Sequence, residues 1–158
     1  MTSGLCTGRR RQQNSESVRR QRERRPFFKQ AEIGMDHVRL AEELFKAFAV
    51  GDEGTIRSLC AEDFRARQNG GPPMDLNTLL GFALSVLQVV ADFRYEEPVR
   101  SETASGFVEE HAVRGTLPDG SELDLPVCVV ADVRDGRVSD VREYFDGVRA
   151  AGLASALS

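Results

Sequence analysis

The chain has 158 residues, a mass of 17.5 kDa and an apolar fraction of 41%, which is enough for one hydrophobic core and argues against a large multidomain enzyme. No apolar run reaches the ~20 residues that a membrane-spanning helix needs, and no signal-peptide pattern is present, so we expect a cytoplasmic protein without membrane contact. The three cysteines and two histidines are scattered along the chain, which argues against a disulfide scaffold and a zinc site.

The formal net charge of −4 combines two segments of opposite sign. Residues 1–34 carry nine Arg or Lys against three Glu and few apolar side chains, so we predict a disordered basic tail. Residues 35–158 form the predicted domain and are acidic, which argues against nucleic-acid binding by the folded part. The tail fits a basic arm for nucleic acid, a targeting peptide or, the interpretation we favour, sequence upstream of a true start at Met35.

The predicted elements change from helical to strand periodicity along the chain. Apolar spacing predicts helices over 36–50, 55–60 and 76–90, with a Gly/Pro-containing loop over 61–74. β-rich runs predict strands over 92–100, 106–117, 122–134 and 137–146, followed by a short helix or tail over 147–157. Asp119-Gly120 and Asp135-Gly136 predict hairpin turns. We therefore expect an α+β domain in which three N-terminal helices pack on a strongly curved, mainly antiparallel sheet and leave a conical pocket.

The C-terminal half carries the most specific sequence signals. They are Leu117-Pro118-Asp119-Gly120, Asp135-Gly136-Arg137-Val138 and Arg142-Glu143-Tyr144-Phe145-Asp146. With these stretches the chain resembles the SnoaL-like, nuclear-transport-factor-2-like superfamily, and its C-terminal part is most similar to limonene epoxide hydrolase. The resemblance implies a cone-shaped α+β barrel, a fold that carries many different reactions.

At the positions that match the catalytic residues of the hydrolase, this chain has only some of the same chemical groups. Its arginine falls on Glu110 and one aspartate on Ala112, whereas its second aspartate falls on Glu143. Its water-positioning tyrosine and asparagine fall on Ala66 and Gln68. Glu143 keeps the carboxylate and Gln68 keeps an amide, so the match argues against epoxide hydrolysis by the same mechanism.

Strand alternation gives a second view of the candidate site. The predicted second strand presents Val108, Glu110, Ala112 and Arg114 on one face and Glu109, His111 and Val113 on the other. The resemblance implies that Glu110 and Glu143 face the concave side, with Arg114 nearby. Burial and mutual repulsion raise the pKa of one of two close carboxyls, which leaves one acid and one base for catalysis. The alternatives are a structural Glu110–Arg114 ion pair and a surface role for His111 and Tyr144.

The predicted pocket is mostly apolar. Its candidate lining residues are Phe82, Val86, Val89, Leu125, Val127, Val129 and Phe145, with Gln68 as a hydrogen-bond donor and Arg114 as a further substrate contact. We expect a small or medium hydrophobic molecule with a few oxygens as substrate, no metal or organic cofactor, and a homodimer formed through the outer sheet face. No Gly-rich phosphate loop is present, which argues against nucleotides.

Two classes of function fit this pattern. The first is an isomerase, polyketide-cyclase-like or epoxide-hydrolase-like enzyme with Glu143 and Glu110 as catalytic carboxylates. The second is a non-catalytic ligand-binding or dimerisation module of the same fold. An open cavity that Glu143 reaches favours the enzyme, whereas a filled cavity with Glu143 paired to Arg114 favours the module.

Overall fold

A computed structural model describes residues 36–158; the predicted tail over 1–34 lies outside the described residues. The helices are α1 His37–Val50, α2 Glu53–Leu59, α3 Leu76–Val89 and α4 Ala151–Ala156. The strands are β1 Cys60–Gln68, β2 Ala91–Glu102, β3 Gly106–Thr116, β4 Glu122–Arg134 and β5 Arg137–Phe145. No helix in this part of the chain is long and apolar enough to cross a membrane.

The first three helices begin at aspartate caps. The side chains of Asp36, Asp52 and Asp75 accept hydrogen bonds from backbone N–H groups of the first turn, which satisfies donors that a helix cannot satisfy internally. Helix α1 ends at Gly51, whose φ of 68° is the left-handed conformation that favours glycine. Local sequence therefore explains where these helices begin and why α1 stops.

The strands form one curved, open sheet in the order β1-β5-β4-β3-β2. Strand β1 runs parallel to β5, and every other neighbouring pair is antiparallel. The predicted α+β class with helices on a curved, mainly antiparallel sheet is confirmed. Two details differ from the prediction: the sheet is not closed into a barrel, and a strand separates α2 from α3 rather than three helices preceding the sheet.

The prediction of a loop over 61–74 is wrong for its first part, because Cys60–Gln68 forms β1. Its sequence is rich in charged residues and poor in β-branched ones, so strand propensity is weak. Tertiary context decides instead: Phe64 and Ala66 are buried, and the strand pairs along β5. The loop begins only at Asn69, where the Gly70-Gly71 turn returns the chain towards α3.

The hydrophobic core lies between the helices and the inner face of the sheet. Leu40, Leu44 and Ile56 come from the helices, and Phe107 and Val129 come from the central strands; each is at most 2% exposed. Strand β2 is mostly exposed and forms one edge. The inner face therefore meets helices, whereas the outer face has no covering element among the described residues.

Gly106 begins β3 at a point of close backbone approach. A Cβ placed there would lie 2.0 Å from the carbonyl oxygen of Ala131, so we expect Gly106→Ala to lose about 1–3 kcal/mol, the usual range for overpacking. Gly81→Ala is the matched control, because a Cβ at this α3 position meets nothing within 4 Å and should gain ~0.5–1 kcal/mol from helix propensity. Urea unfolding of both variants measures the difference, and equal stabilities would contradict the assigned strand packing.

Candidate active site

A cavity of about 280 Å³ lies between the helices and the inner sheet face. This volume is near the lower end of ligand pockets, roughly 300–1,000 Å³. Its apolar wall includes Leu44, Phe45, Phe64, Leu79, Phe82, Val86, Phe93, Leu125, Val127, Val129, Val141, Phe145, Leu153 and Leu157. Among the described residues, its ionisable or amide-bearing lining side chains are Arg67, Gln68, Tyr95 and Glu143. The cavity therefore suits a largely apolar molecule with a polar group at one end.

Glu143 on β5 supplies a carboxyl group to this apolar wall. Its neighbour on β1 is Gln68, whose Nε2 donates a hydrogen bond of 2.6 Å to Glu143 Oε2. Burial raises the pKa of the Glu143 carboxyl above the ordinary value of 4.5, and the Gln68 bond and the nearby His111 oppose that rise only in part. Compared with a carboxyl in water, the protonated form is stabilised relative to the ionised form, because an apolar environment penalises the charge.

Tyr95 on β2 is a further polar group at the cavity wall, and the sequence pattern did not predict it. Its ring packs edge-on against Phe45 and Phe93, with ring centres 5.5 and 5.1 Å away. Burial, followed by the negative charges of Glu143 and Glu109, raises the pKa of the phenol. The hydroxyl therefore stays protonated and can donate a hydrogen bond. A left-handed Glu97 next to Pro98 and a register shift between Glu96 and Val99 interrupt β2 just beyond it, so simple alternation gives no reliable face for Tyr95.

One row of side chains crosses all five strands. The register aligns Gln68 with Glu143, Glu143 with Val129, Val129 with Glu109, and Glu109 with Arg100. Neighbouring strands are ~4.8 Å apart, so the two carboxyl-bearing residues stand roughly 10 Å apart at the backbone with Val129 between them. The row is polar except at Val129.

The prediction that Glu110 faces the concave side is wrong. Glu110 is exposed on the outer face, where it lies beside Cys128 and Tyr144, and it cannot form a carboxylate pair with Glu143 in the cavity. Arg114 also points outward. Its guanidinium contacts Glu96 and Asp124, so the predicted roles of Arg114 as a partner of the buried acids and as a substrate contact in the cavity are wrong as well.

The inward-facing residues of β3 include Glu109, His111 and Val113. Strand alternation groups these three correctly, but the resemblance implied that the opposite set faces the concave side. His111 is 5% exposed, so the expectation of a surface histidine is wrong. A sequence signal for this face exists. In a hairpin that turns at Asp119, residues at equal distances before and after Asp119 pair across the two strands. His111 therefore pairs with Val127, and Glu109 pairs with Val129. An apolar inner face on β4 therefore requires these β3 residues to face inward too.

Most of the other predicted lining residues lie in the cavity wall. Gln68, Phe82, Val86, Leu125, Val127, Val129 and Phe145 line it, whereas Val89 packs against the core outside the lining. Tyr144 is 46% exposed on the outer face, as expected. No group of three or more metal-ligating side chains occurs within residues 36–158. The predicted homodimer, cytoplasmic location and lack of a cofactor stay predictions.

The chain belongs to the SnoaL-like domain family, whose model matches residues 41–141. Solved structures with the same fold include IdmH, a proposed polyketide cyclase of Streptomyces antibioticus, with 23% identity over 76% of this chain and 99% of that chain and a TM-score of 0.67. A proposed polyketide cyclase of Xanthomonas campestris pv. campestris matches with 21% identity over 77% of this chain and 96% of that one, at a TM-score of 0.64.

A proposed isomerase of Bacillus subtilis also shares the fold, with 15% identity over 76% of this chain and 96% of that chain and a TM-score of 0.61. No curated protein sequence matches the chain. The predicted superfamily is therefore confirmed, whereas the closer similarity to limonene epoxide hydrolase stays a prediction. At these identities the solved structures establish the fold alone.

The raised pKa of Glu143 predicts a pH-dependent stability. Between pH 4.5 and the higher pKa of the folded carboxyl, the native state binds more protons than the unfolded chain, so stability falls as the pH rises through this window. Glu143→Gln mimics the protonated form. We expect its stability advantage over the wild-type protein to grow from about pH 4 to about pH 8, as measured by urea unfolding. Glu110→Gln, the same change on the exposed outer face, is the control. A constant difference for Glu143→Gln across this range would disprove the burial penalty.

Proposed function

We propose that this protein is a cofactor-independent enzyme that moves protons on a neutral, largely apolar molecule carrying at least one oxygen. The observation that carries the proposal is the placement of the Glu143 carboxyl in the wall of an apolar cavity, hydrogen-bonded to a neutral amide rather than to a cation. Isomerisation and aldol-type cyclisation fit this arrangement, and epoxide opening fits it less well. The similarity to proposed polyketide cyclases and to a proposed isomerase supports the same class.

Glu143 suits acid–base catalysis because its environment brings its two protonation states closer in free energy at neutral pH. Desolvation makes the carboxylate a stronger base than one in water, and the Gln68 bond keeps the ionised form accessible. Gln68 also fixes the direction of the carboxyl, since one of its oxygens is held at 2.6 Å. The other oxygen, Oε1, is the atom that would take or give the proton.

Tyr95 would complete the chemistry as a hydrogen-bond donor. Proton abstraction beside a carbonyl group leaves negative charge on the carbonyl oxygen, and a fixed donor in a dry cavity stabilises that charge. The Tyr95 hydroxyl lines the cavity and remains protonated. Ketones with a hydrogen on the adjacent carbon are therefore the simplest ligands that use both groups.

The non-catalytic alternative has less support. The structure has an open cavity that Glu143 lines, and Arg114 pairs with outer-face carboxylates instead of with Glu143. Both features are those that favour the enzyme over a filled binding module.

Deuterium exchange tests the proposal without knowledge of the natural substrate. We expect the protein to speed exchange of the α-hydrogens of 1-tetralone, an apolar ketone, in deuterated buffer, as followed by proton NMR. Glu143→Gln should remove most of the acceleration, on the order of 10²–10⁴-fold for a lost general base. Glu110→Gln should keep it. Exchange at the buffer rate by the wild-type protein, or an undiminished rate in Glu143→Gln, would refute the proposed chemistry.

The two tyrosines of the chain offer a matched pair for the second role. Tyr95→Phe should slow the same exchange by roughly 10²–10³-fold, the typical cost of losing one donor to a developing oxyanion. Tyr144→Phe removes an identical hydroxyl from the outer face and should leave the rate unchanged. Equal rates for the two variants would show that Tyr95 donates no hydrogen bond to the reacting oxygen.

A further inference from the structure

Asn69 lies directly after the last residue of β1 and has no role in the chemistry above. Two hydrogen bonds connect it to β5. Its backbone N–H donates to the carbonyl oxygen of Glu143 at 2.8 Å, and its side-chain Oδ1 accepts from the backbone N–H of Phe145 at 3.0 Å. Asn69 therefore contacts the backbone of β5 at the proposed catalytic residue and at the residue two positions after it.

The side chain of Asn69 takes the place of a backbone group in the ladder between β1 and β5. In a parallel pair, a residue donates its N–H to one residue of the neighbouring strand and accepts with its C=O from the N–H two positions further along. Asn69 donates its N–H to Glu143 in this way, but the N–H of Phe145 donates to Oδ1. The ladder is thus continued one residue beyond the end of β1.

The backbone of Asn69 explains why a side chain makes this second bond. Its φ of 49° is left-handed, so the chain leaves the extended conformation here and turns through Gly70, whose φ of 70° is left-handed as well. After glycine, asparagine and aspartate are among the residues that adopt this conformation most readily. The position therefore requires both a left-handed backbone and a side-chain acceptor.

The bonds of Asn69 matter because the site lies at the end of the ladder. Gln68 and Glu143 are the last residues that the register of β1 and β5 aligns, and the ends of paired segments open most easily. The bond of 2.6 Å from Gln68 Nε2 to Glu143 Oε2 depends on the separation of these two backbones. Asn69 encloses the pair between the regular ladder and its own two bonds.

We propose that Asn69 is a positioning residue, which holds Glu143 opposite Gln68 by bonding to the backbone of β5 on the far side of the pair. Without its side chain, the end of β5 is free to move away from β1, and the Glu143 carboxyl loses its fixed direction. The backbone N–H of Phe145, a residue of the cavity wall, loses its acceptor at the same time. The inference rests on the proposed acid–base role of Glu143.

Two substitutions separate the requirements of this position. Asn69→Gly keeps the left-handed backbone and removes the acceptor, whereas Asn69→Asp keeps both. We expect Asn69→Gly to lower the maximal rate of 1-tetralone exchange by roughly 10–100-fold, the scale on which a misplacement of about 1 Å slows a reaction. KM should change little, because Asn69 lies outside the cavity lining. Asn69→Asp should keep the wild-type rate. A wild-type rate in Asn69→Gly, or an equally slow Asn69→Asp, would overturn the proposal.

Asn77 provides a matched control for a general loss of stability. It is exposed in the first turn of α3, and its Oδ1 also accepts one hydrogen bond, from Arg57 Nη1 at 2.8 Å. Asn77→Gly therefore removes the same side chain and a similar bond away from the site, and glycine also weakens the helix. We expect an unchanged exchange rate. A fall as large as that of Asn69→Gly would show that lost stability slows the reaction, and would refute the positioning role.

NMR tests the geometry without any turnover. In Asn69→Gly we expect the backbone N–H of Phe145 to exchange with deuterated solvent roughly 2–10-fold faster, as the loss of one hydrogen bond predicts. The side-chain amide signals of Gln68 should shift towards those of free glutamine, because its bond to Glu143 loosens. Both readouts should keep their wild-type values in Asn69→Asp and Asn77→Gly. Unchanged Phe145 and Gln68 signals in Asn69→Gly would contradict the proposal.

The positioning role and the proposed reaction fail separately. If the wild-type protein does not speed tetralone exchange but the NMR changes occur, the reaction is refuted and the positioning of Glu143 by Asn69 stands. If exchange is fast and the NMR signals do not respond to Asn69→Gly, the positioning role is refuted and the reaction stands.

Discussion

The register between β3 and β4 is the constraint on which the site depends. Side chains alternate between the two faces of a strand, so a slip by one residue would exchange every inward and outward side chain of β3. The turn around Asp119 fixes the register, and burial of the apolar inner face of β4 stabilises that register. Glu109 and His111 consequently enter the interior, and Glu110 and Arg114 remain on the outer face. The choice between these two sets decides the chemistry of the inner face.

The two inward-facing glutamates, Glu109 and Glu143, have partners of different charge. Glu109 has Arg100 and His111 as direct partners, so its charge is compensated where it is buried. Glu143 has a neutral amide as its hydrogen-bond partner and an apolar cavity in front of it. A close cation compensates the charge of a buried carboxylate, whereas a buried carboxyl without such a partner is penalised when it ionises. The second arrangement is the one on which the proposed acid–base chemistry rests.

Much of the fold could be predicted from periodicity and turn residues. The amphipathic helices and the Asp-Gly hairpins that lead to β4 and β5 have strong local signals, and their predicted bounds agree with the structure to within about two residues. Strand β1 was missed because its pairing with β5 joins residues far apart in sequence. Glu143 and Gln68 were found through a family resemblance, whereas Tyr95 was missed because an irregular β2 gives it no alternation signal. The prediction for His111 was wrong because the resemblance implied that Glu110 faces the concave side, whereas the hairpin register places His111 there.

Val129 is the apolar residue in the row of side chains that crosses the sheet. It stands between Glu143 and Glu109 and is 2% exposed, so the row places an apolar side chain, and no hydrogen-bonding one, between the two carboxyl-bearing residues. A hydrogen-bonding side chain at that point would offer the Glu143 carboxylate a second donor beside Gln68. The pKa of Glu143 would then be raised less, since a hydrogen bond to the charged form opposes the effect of burial. An apolar residue at this point therefore supports the proposed chemistry, because it leaves the Glu143 carboxyl with a neutral amide as its hydrogen-bond partner.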